Sequence, residues 1–186
     1  MRRPAPVGES PAPTLALEQS GACDNDAVRI AMVCLGNICR SPMAEAVAQA
    51  MVEQAGLAGS VAVESFGTAG YHAGERADPQ AVAALRRRGW PADGHRARQL
   101  RPADLAAVDV VLCADAANLA DVRRLAGSGD DGAQVALLRS YDPVAVAGDD
   151  EVPDPWGGTD ADFDRALALI ERACRGLVDR LASSAR

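Results

Sequence analysis

An α/β domain with a doubly wound, four-stranded parallel sheet and helices on both faces is predicted by three observations on this chain of 186 residues. Short apolar runs alternate with stretches of helical periodicity, the order that successive βαβ units require. The runs are mostly Val, Ile, Leu and Ala with few polar residues between, which suits strands covered on both faces. One run leads into Val33-Cys34-Leu35-Gly36-Asn37-Ile38-Cys39-Arg40-Ser41-Pro42, which reads as strand end, tight loop and helix start. In such sheets ligands bind at the carboxyl ends of strands, so this loop is the first candidate site.

Residues 1–26 carry Pro4, Pro6, Pro11 and Pro13 and little periodicity, a composition expected to form a disordered Pro/Ala-rich tail. The domain is expected over 27–186, as one unit, because no second composition regime appears. Residues 27–33 form the first strand. Ser41 as N-cap and Pro42 at the first helical position open a helix that good helix formers continue to Gly56. Residues 61–66 read as the second strand, followed by a Gly-rich connection over 67–74. Asp78-Pro79 caps a helix to about Arg88, closed by Gly89. After a polar stretch with His95 and Arg98 come a third strand over 108–113, a helix over 116–126 and a fourth strand over 135–138. A loop rich in Asp, Pro and Gly (142–158) leads to the last helix, where Phe163, Ala166, Leu167, Ile170, Ala173, Cys174, Leu177 and Leu181 recur at helical spacing.

A hydrophobic content of 48% with 24% charged residues is ordinary for a globular domain, whereas 3% aromatics leaves Ala, Val and Leu to fill the core and makes each ring informative. The net charge of −7 argues against nucleic acid or an anionic membrane as partner, since both require a basic surface. The 19 basic residues are all Arg, a bias given no mechanistic weight. Five scattered cysteines and two histidines imply neither a disulfide framework nor a metal centre, and no cofactor is expected. No apolar run approaches the ~20 residues of a membrane span, and Arg2-Arg3 is followed by prolines where a signal peptide would be apolar. A reducing cytoplasm is therefore the expected location.

A Cys six residues before an Arg discriminates little by itself, because Cys23 with Arg29, Cys34 with Arg40, and Cys174 with Arg180 all satisfy it. Asp24 and Asp26 in the first spacer would repel a phosphate, and Cys174 falls inside a helix whose amides are already bonded. Only Cys34 follows a strand and precedes a helix N-terminus, where unpaired amides and the helix dipole favour an anion. Gly36 and Asn37 can take the positive φ that turns successive amides inward. Arg40 adds a planar fork for two phosphate oxygens, and the same field favours the thiolate form of Cys34. A nucleophile and an anion clamp therefore share one loop.

VCLGNICRSPMAEA resembles the signature of the low-molecular-weight protein tyrosine phosphatases. Further matches lie in SFGTAGYHAG (65–74), HRARQL (95–100), DVVLCAD (109–115) and VPDPWGG (152–158), so the resemblance covers 28 to about 183. It implies the phosphotyrosine phosphatase I-like fold and a phosphocysteine mechanism. In that mechanism Cys34 attacks phosphorus, and the loop Leu35, Gly36, Asn37, Ile38, Cys39, Arg40 and Ser41 binds the phosphate. Asp154 protonates the departing phenolate and then activates water. Asp149, Asp150 and Glu151 lie beside Asp154 in sequence as like charges. The resemblance also assigns Ser65 and His95 to a polar network that holds Asn37, with Ser41 donating to the thiolate. Tyr71 and Trp156 become pocket walls for a phenyl ring, and Cys39 a redox partner able to shield Cys34 as a reversible disulfide.

Core packing remains the alternative for either ring and for Cys39, and an exposed loop position for His95. Trp156-Gly157 replaces the paired tyrosines of some relatives, so regulation by phosphorylation there is not carried over. Ala114 stands where relatives often have Met. Ile38, where phosphoarginine phosphatases tend to carry Thr, favours an aryl phosphate. The implied partner is a phosphotyrosine-containing protein, in bacterial relatives often a tyrosine kinase or its substrates, and the chain is expected as a monomer or weak dimer. Two other functions compete. A thiol-dependent arsenate reductase shares the fold and loop but relays its disulfide through further cysteines. A phosphoprotein-binding module would need no acid.

Overall fold

The computed structural model describes residues 27–127, 132–146 and 148–184; the expected tail over 1–26 lies outside them. Four parallel strands, β1 (Val28–Cys34), β2 (Val61–Gly67), β3 (Val110–Cys113) and β4 (Gln134–Leu137), stand in the order β2-β1-β3-β4. The chain passes from β1 to β2 on one side and then crosses to β3 on the other. The carboxyl ends of β1 and β3, paired from Ile30 opposite Val110 to Val33 opposite Cys113, therefore flank a topological switch point.

The alternation of side chains along β1 divides the core. Ile30, Met32 and Cys34 face one layer with Val63 and Leu112, covered by α1 (Arg40–Gln54), α2 (Pro79–Arg87) and α5 (Asp160–Ser184). Ala31 and Val33 face the other with Phe66, Val111 and Cys113, covered by α3 (Pro102–Leu105) and α4 (Ala116–Ala126). Phe163, Leu167, Ile170 and Leu177 of α5 are wholly buried, each contributing about 1.5–3 kcal/mol by leaving water. The helix α5 also packs on a 3₁₀ turn over Leu138–Tyr141, so closely that a Cβ at Gly176 would collide with the Tyr141 carbonyl oxygen.

Most elements agree with the expected ones to within a residue or two, and the differences have local causes. The helix α1 begins at Arg40, not after Ser41, with Cys39 at its N-cap position and no side-chain cap. Ser41 is bonded elsewhere, and Pro42 remains in the first turn, where a missing N–H costs nothing. Asp78 does cap α2, accepting from Gln80 N at 2.7 Å, and Gly89 follows it with φ 76°. The strand β3 starts at Val110, two residues late; Asp109, just before it, still holds β1 through main chain and side chain, its N donating to Arg29 O at 2.9 Å and its carboxylate accepting from Arg29 N at 2.7 Å. Leu138 belongs to the 3₁₀ turn instead of β4. The one-turn α3, inside the polar stretch before β3, is too short for its periodicity to show.

Candidate active site

The loop between β1 and α1 carries a strained backbone held by side chains from three other segments. Asn37 has φ 55°, the one positive φ outside glycine among the described residues. A non-glycine residue there costs about 1–2 kcal/mol and persists because its surroundings over-determine it. Its amide Nδ2 donates to Ser41 Oγ and Ser65 Oγ, both at 2.9 Å, and its Oδ1 accepts from Arg98 N at 2.8 Å. Its carbonyl oxygen lies 2.7 Å from His95 Nε2. Asn37 is completely buried, so each of these bonds replaces water it has lost. Gly36, expected to share the positive φ, does not. It instead lies close under His72, where a Cβ would stand 3.0 Å from His72 Cδ2, a tight contact.

Behind Asn37 the network continues to Glu45, on α1. Ser65 Oγ donates to Glu45 Oε2 at 2.5 Å and His95 Nδ1 lies 3.6 Å from the same oxygen. Burial would raise the Glu45 carboxyl, yet the hydrogen bonds from His95 and Ser65 and the charges of His95 and Arg98 outweigh it and hold the group below the usual glutamate range.

Cys34, at the carboxyl end of β1, has its Sγ 3.0 Å from Ser41 Oγ. The same hydroxyl also donates to Phe66 O at 3.2 Å. Arg40 is buried and answers two carboxylates: Nη1 donates to Asp115 Oδ2 at 2.6 Å and Nη2 to Asp154 Oδ2 at 2.7 Å. Its Nη1 also reaches Val152 O at 3.2 Å, while Nε is buried with no hydrogen-bond partner among the described residues. Asp115 caps α4, accepting from Asn118 N at 2.7 Å, so β3 and its following helix fix the clamp from the far side of the switch point.

A cavity of about 140 Å³ opens over these groups, lined by Cys34, Gly36, Ile38, Arg40, Asp154 and the rings of Tyr71, His72 and Trp156. Leu35 and Cys39 complete the lining. Tyr71 and Trp156 are 64% and 67% exposed, which excludes the core-packing alternative for both. His95 is bonded into the loop network, so it is not a free surface histidine. Cys39 is buried, and burial with the nearby charges of Asp78, Cys34 and Asp154 pushes its thiol well above the ordinary cysteine range. Of the acids beside Asp154, Glu151 Oε1 instead accepts from Ala116 N at 2.9 Å, and Asp149 lies 3.6 Å from Arg139.

Sequence reasoning assigned no role to Asp115, Glu45 or His72. Asp115 lies within the DVVLCAD match and just before a helix, a signal for its capping role, but nothing local reveals its bond to Arg40. His72 holds Glu75 at 2.8 Å and meets the Tyr71 ring edge-on at 5.0 Å.

Fold and loop together define a doubly wound α/β protein with a thiol and a buried guanidinium on the strand-to-helix loop at its switch point. The sequence profile described as "Low molecular weight phosphotyrosine protein phosphatase" matches residues 29–186, and the chain belongs to that family. It is 48% identical over 150 residues to a low molecular weight protein-tyrosine-phosphatase of Streptomyces coelicolor, covering 81% of this chain and 91% of that one. To low molecular weight protein-tyrosine phosphatase A of Mycobacterium tuberculosis it is 40% identical over 155 residues, covering 83% and 92%. The crystal structure of YfkJ from Bacillus subtilis superposes with a TM-score of 0.79 at 31% identity, over 88% of this chain and 100% of that one.

Proposed function

We propose that this chain is a protein-tyrosine phosphatase in which Cys34 is the nucleophile, Arg40 and the loop amides bind phosphate, and Asp154 is the general acid and base. The observation that carries the reading is the convergence of Cys34, Arg40 and Asp154 on one cavity walled by two exposed aromatic rings. Arg40 Nε is a buried donor for an oxyanion, and an arriving phosphate takes over the Nη2 that Asp154 holds. The Cys34 thiolate attacks phosphorus as the bond to the phenolic oxygen breaks, and Asp154 gives that oxygen its proton. Water then attacks the phosphocysteine, losing a proton to the Asp154 carboxylate. The P–S bond breaks, and phosphate leaves with the thiolate restored.

Ser41 has one hydroxyl proton for two acceptors. While Cys34 is a thiol, it can donate to Ser41 Oγ and leave that proton on the Phe66 carbonyl. Once Cys34 is a thiolate, the proton turns to sulfur. The thiolate is thus stabilised as a leaving group in the second step.

Cys39 serves as a protecting partner. After a peroxide has oxidised Cys34 to the sulfenic acid, the Cys39 sulfur displaces hydroxide, which leaves as water with the Cys39 proton, and a disulfide forms. The physiological partner is a phosphotyrosine protein, with a bacterial tyrosine kinase or its substrates as the class, acted on by a monomer or weak dimer. A cytoplasmic location is supported by four free cysteines among the described residues. The arsenate-reductase alternative is disfavoured because Cys113 and Cys174 are wholly buried, with thiols pushed up to about 12. Rapid quenching with a phosphotyrosine peptide tests the reading: a phosphocysteine on Cys34 is expected, and unreduced turnover by Cys34→Ser would overturn it.

A further inference from the structure

Arg139, in the 3₁₀ turn after β4, is 2% exposed and lies outside the cavity described above. Its Nε donates to Asp142 Oδ2 at 3.3 Å, and its Nη1 donates to the Glu151 carbonyl at 3.0 Å and lies 3.6 Å from Asp149 Oδ1. Asp142 is itself buried and is held from α5 by Arg172, whose Nη2 donates to Oδ2 at 3.0 Å and Nε to Oδ1 at 3.3 Å. Arg139 therefore fastens the start of the Asp- and Pro-rich loop to its middle. Just after Glu151 the backbone of Val152 is anchored at the site on both its polar atoms. Val152 N donates to Ala114 O at 2.8 Å, Val152 O accepts from Arg40 Nη1 at 3.2 Å, and Asp154 follows two residues later.

We propose that Arg139 is a positioning residue for Asp154, setting the reach of the acid by holding the Glu151 main chain against the end of β3. The inference rests on the reading of Asp154 as the acid. Stability alone gives little reason for a guanidinium here, because a buried ion pair is commonly matched or exceeded by apolar side chains of similar volume. The distinctive feature of Arg139 is the donor it places on the segment carrying the acid. A displacement of about 1 Å there is enough to cost on the order of 100-fold in rate.

The test compares kcat/KM for phenyl phosphate, whose leaving group needs a proton, with p-nitrophenyl phosphate, whose leaving group does not. Arg139→Met, Arg139→Lys and Arg172→Gln are measured alone and with Asp154→Ala. Arg139→Met is expected to lose roughly 10-fold more on phenyl phosphate than on p-nitrophenyl phosphate, a part of the ~100-fold or more that a general acid supplies. Arg139→Lys keeps the charge beside Asp142 and is expected to show the same selectivity, smaller, so it decides the matter if the Met variant does not fold. Arg172→Gln loosens the same cluster without touching Glu151 and is expected to lower Tm without selectivity. With Asp154→Ala present, the Arg139 variants are expected to lose their selectivity. Selective loss in Asp154→Ala but not in the Arg139 variants overturns the positioning role alone, as does selectivity that persists without Asp154. No selectivity in Asp154→Ala overturns the acid assignment and this inference with it.

Discussion

Arg40 Nη2 and Asp154 Oδ2 are joined at 2.7 Å across the mouth of the cavity, so the proposed phosphate clamp and the proposed acid are bonded to each other. An oxyanion binding to Arg40 competes with a carboxylate of the same molecule. Asp154→Asn is expected to bind inorganic phosphate more tightly than the parent, by about 3- to 5-fold, because the Asp154 side chain is 43% exposed and solvent screens the pair. The inhibition constant of phosphate checks this, and weaker inhibition would refute it.

The buried network around Asn37 makes a second prediction. Asn37→Ala loses the bonds to Ser41, Ser65 and Arg98 N and puts a Cβ-bearing residue without compensation at φ 55°. Asn37→Gly loses the same bonds without the strain. Both are expected to lower kcat/KM by ~10-fold or more, with Asn37→Ala the less stable of the two by about 1 kcal/mol. Urea unfolding measures the difference, and equal stabilities would remove strain from the account.

Acid stability is the third. Burial would raise the carboxyls of Glu45 and Asp142, but Glu45's bonds from His95 and Ser65, and Asp142's from Arg172, Val144 N and Arg139, win and hold both below their ordinary values. Unfolded, they titrate near about 4. Their contribution is therefore complete above about pH 5 and is lost as pH falls through the lower folded values. Asp142→Asn is expected to cost about 3 kcal/mol at pH 7, since Arg139 is left buried and poorly paired, and to flatten the fall in Tm between pH 5 and 3. A parallel fall in parent and variant would count against the assignment.

Thiol reactivity is the fourth. Burial raises Cys39, and it pushes Cys113 and Cys174 up to about 12. Iodoacetamide at pH 7 is expected to alkylate Cys34 in the folded protein, with inorganic phosphate protecting it, while those three remain unmodified until denaturant is added. Peptide mapping distinguishes the positions.

Local chemistry explains what could be read from the sequence. The strand, Asn37 and the helix start mark the loop within ten residues, and Asp78-Pro79 with Gly89 brackets α2 by its caps. Strand order leaves no such local mark, because the pairing of β1 with both β2 and β3 depends on how whole layers pack. What depends on that order was hidden with it. Asp115 reaches Arg40 only because β3 lies beside β1, and Glu45 reaches Ser65 and His95 only once α1 covers β2. Ser41 shows the opposite failure: its type and place fit a helix cap, but a thiol and a buried amide claimed its hydroxyl first.

The clasp on Asp142 by Arg172 has a consequence for biosynthesis. A ribosome delivers Cys34 and Arg40 early, while Asp154 follows Arg40 by 114 positions and the Arg172 that holds Asp142 comes later still, on α5. A nascent chain stalled before α5 holds the thiol and the guanidinium but lacks the buried face on which the 3₁₀ turn rests. Turnover therefore waits until α5 has been made and has packed on the 3₁₀ turn, and Cys34 passes through the earlier part of synthesis without the geometry that would put it to use.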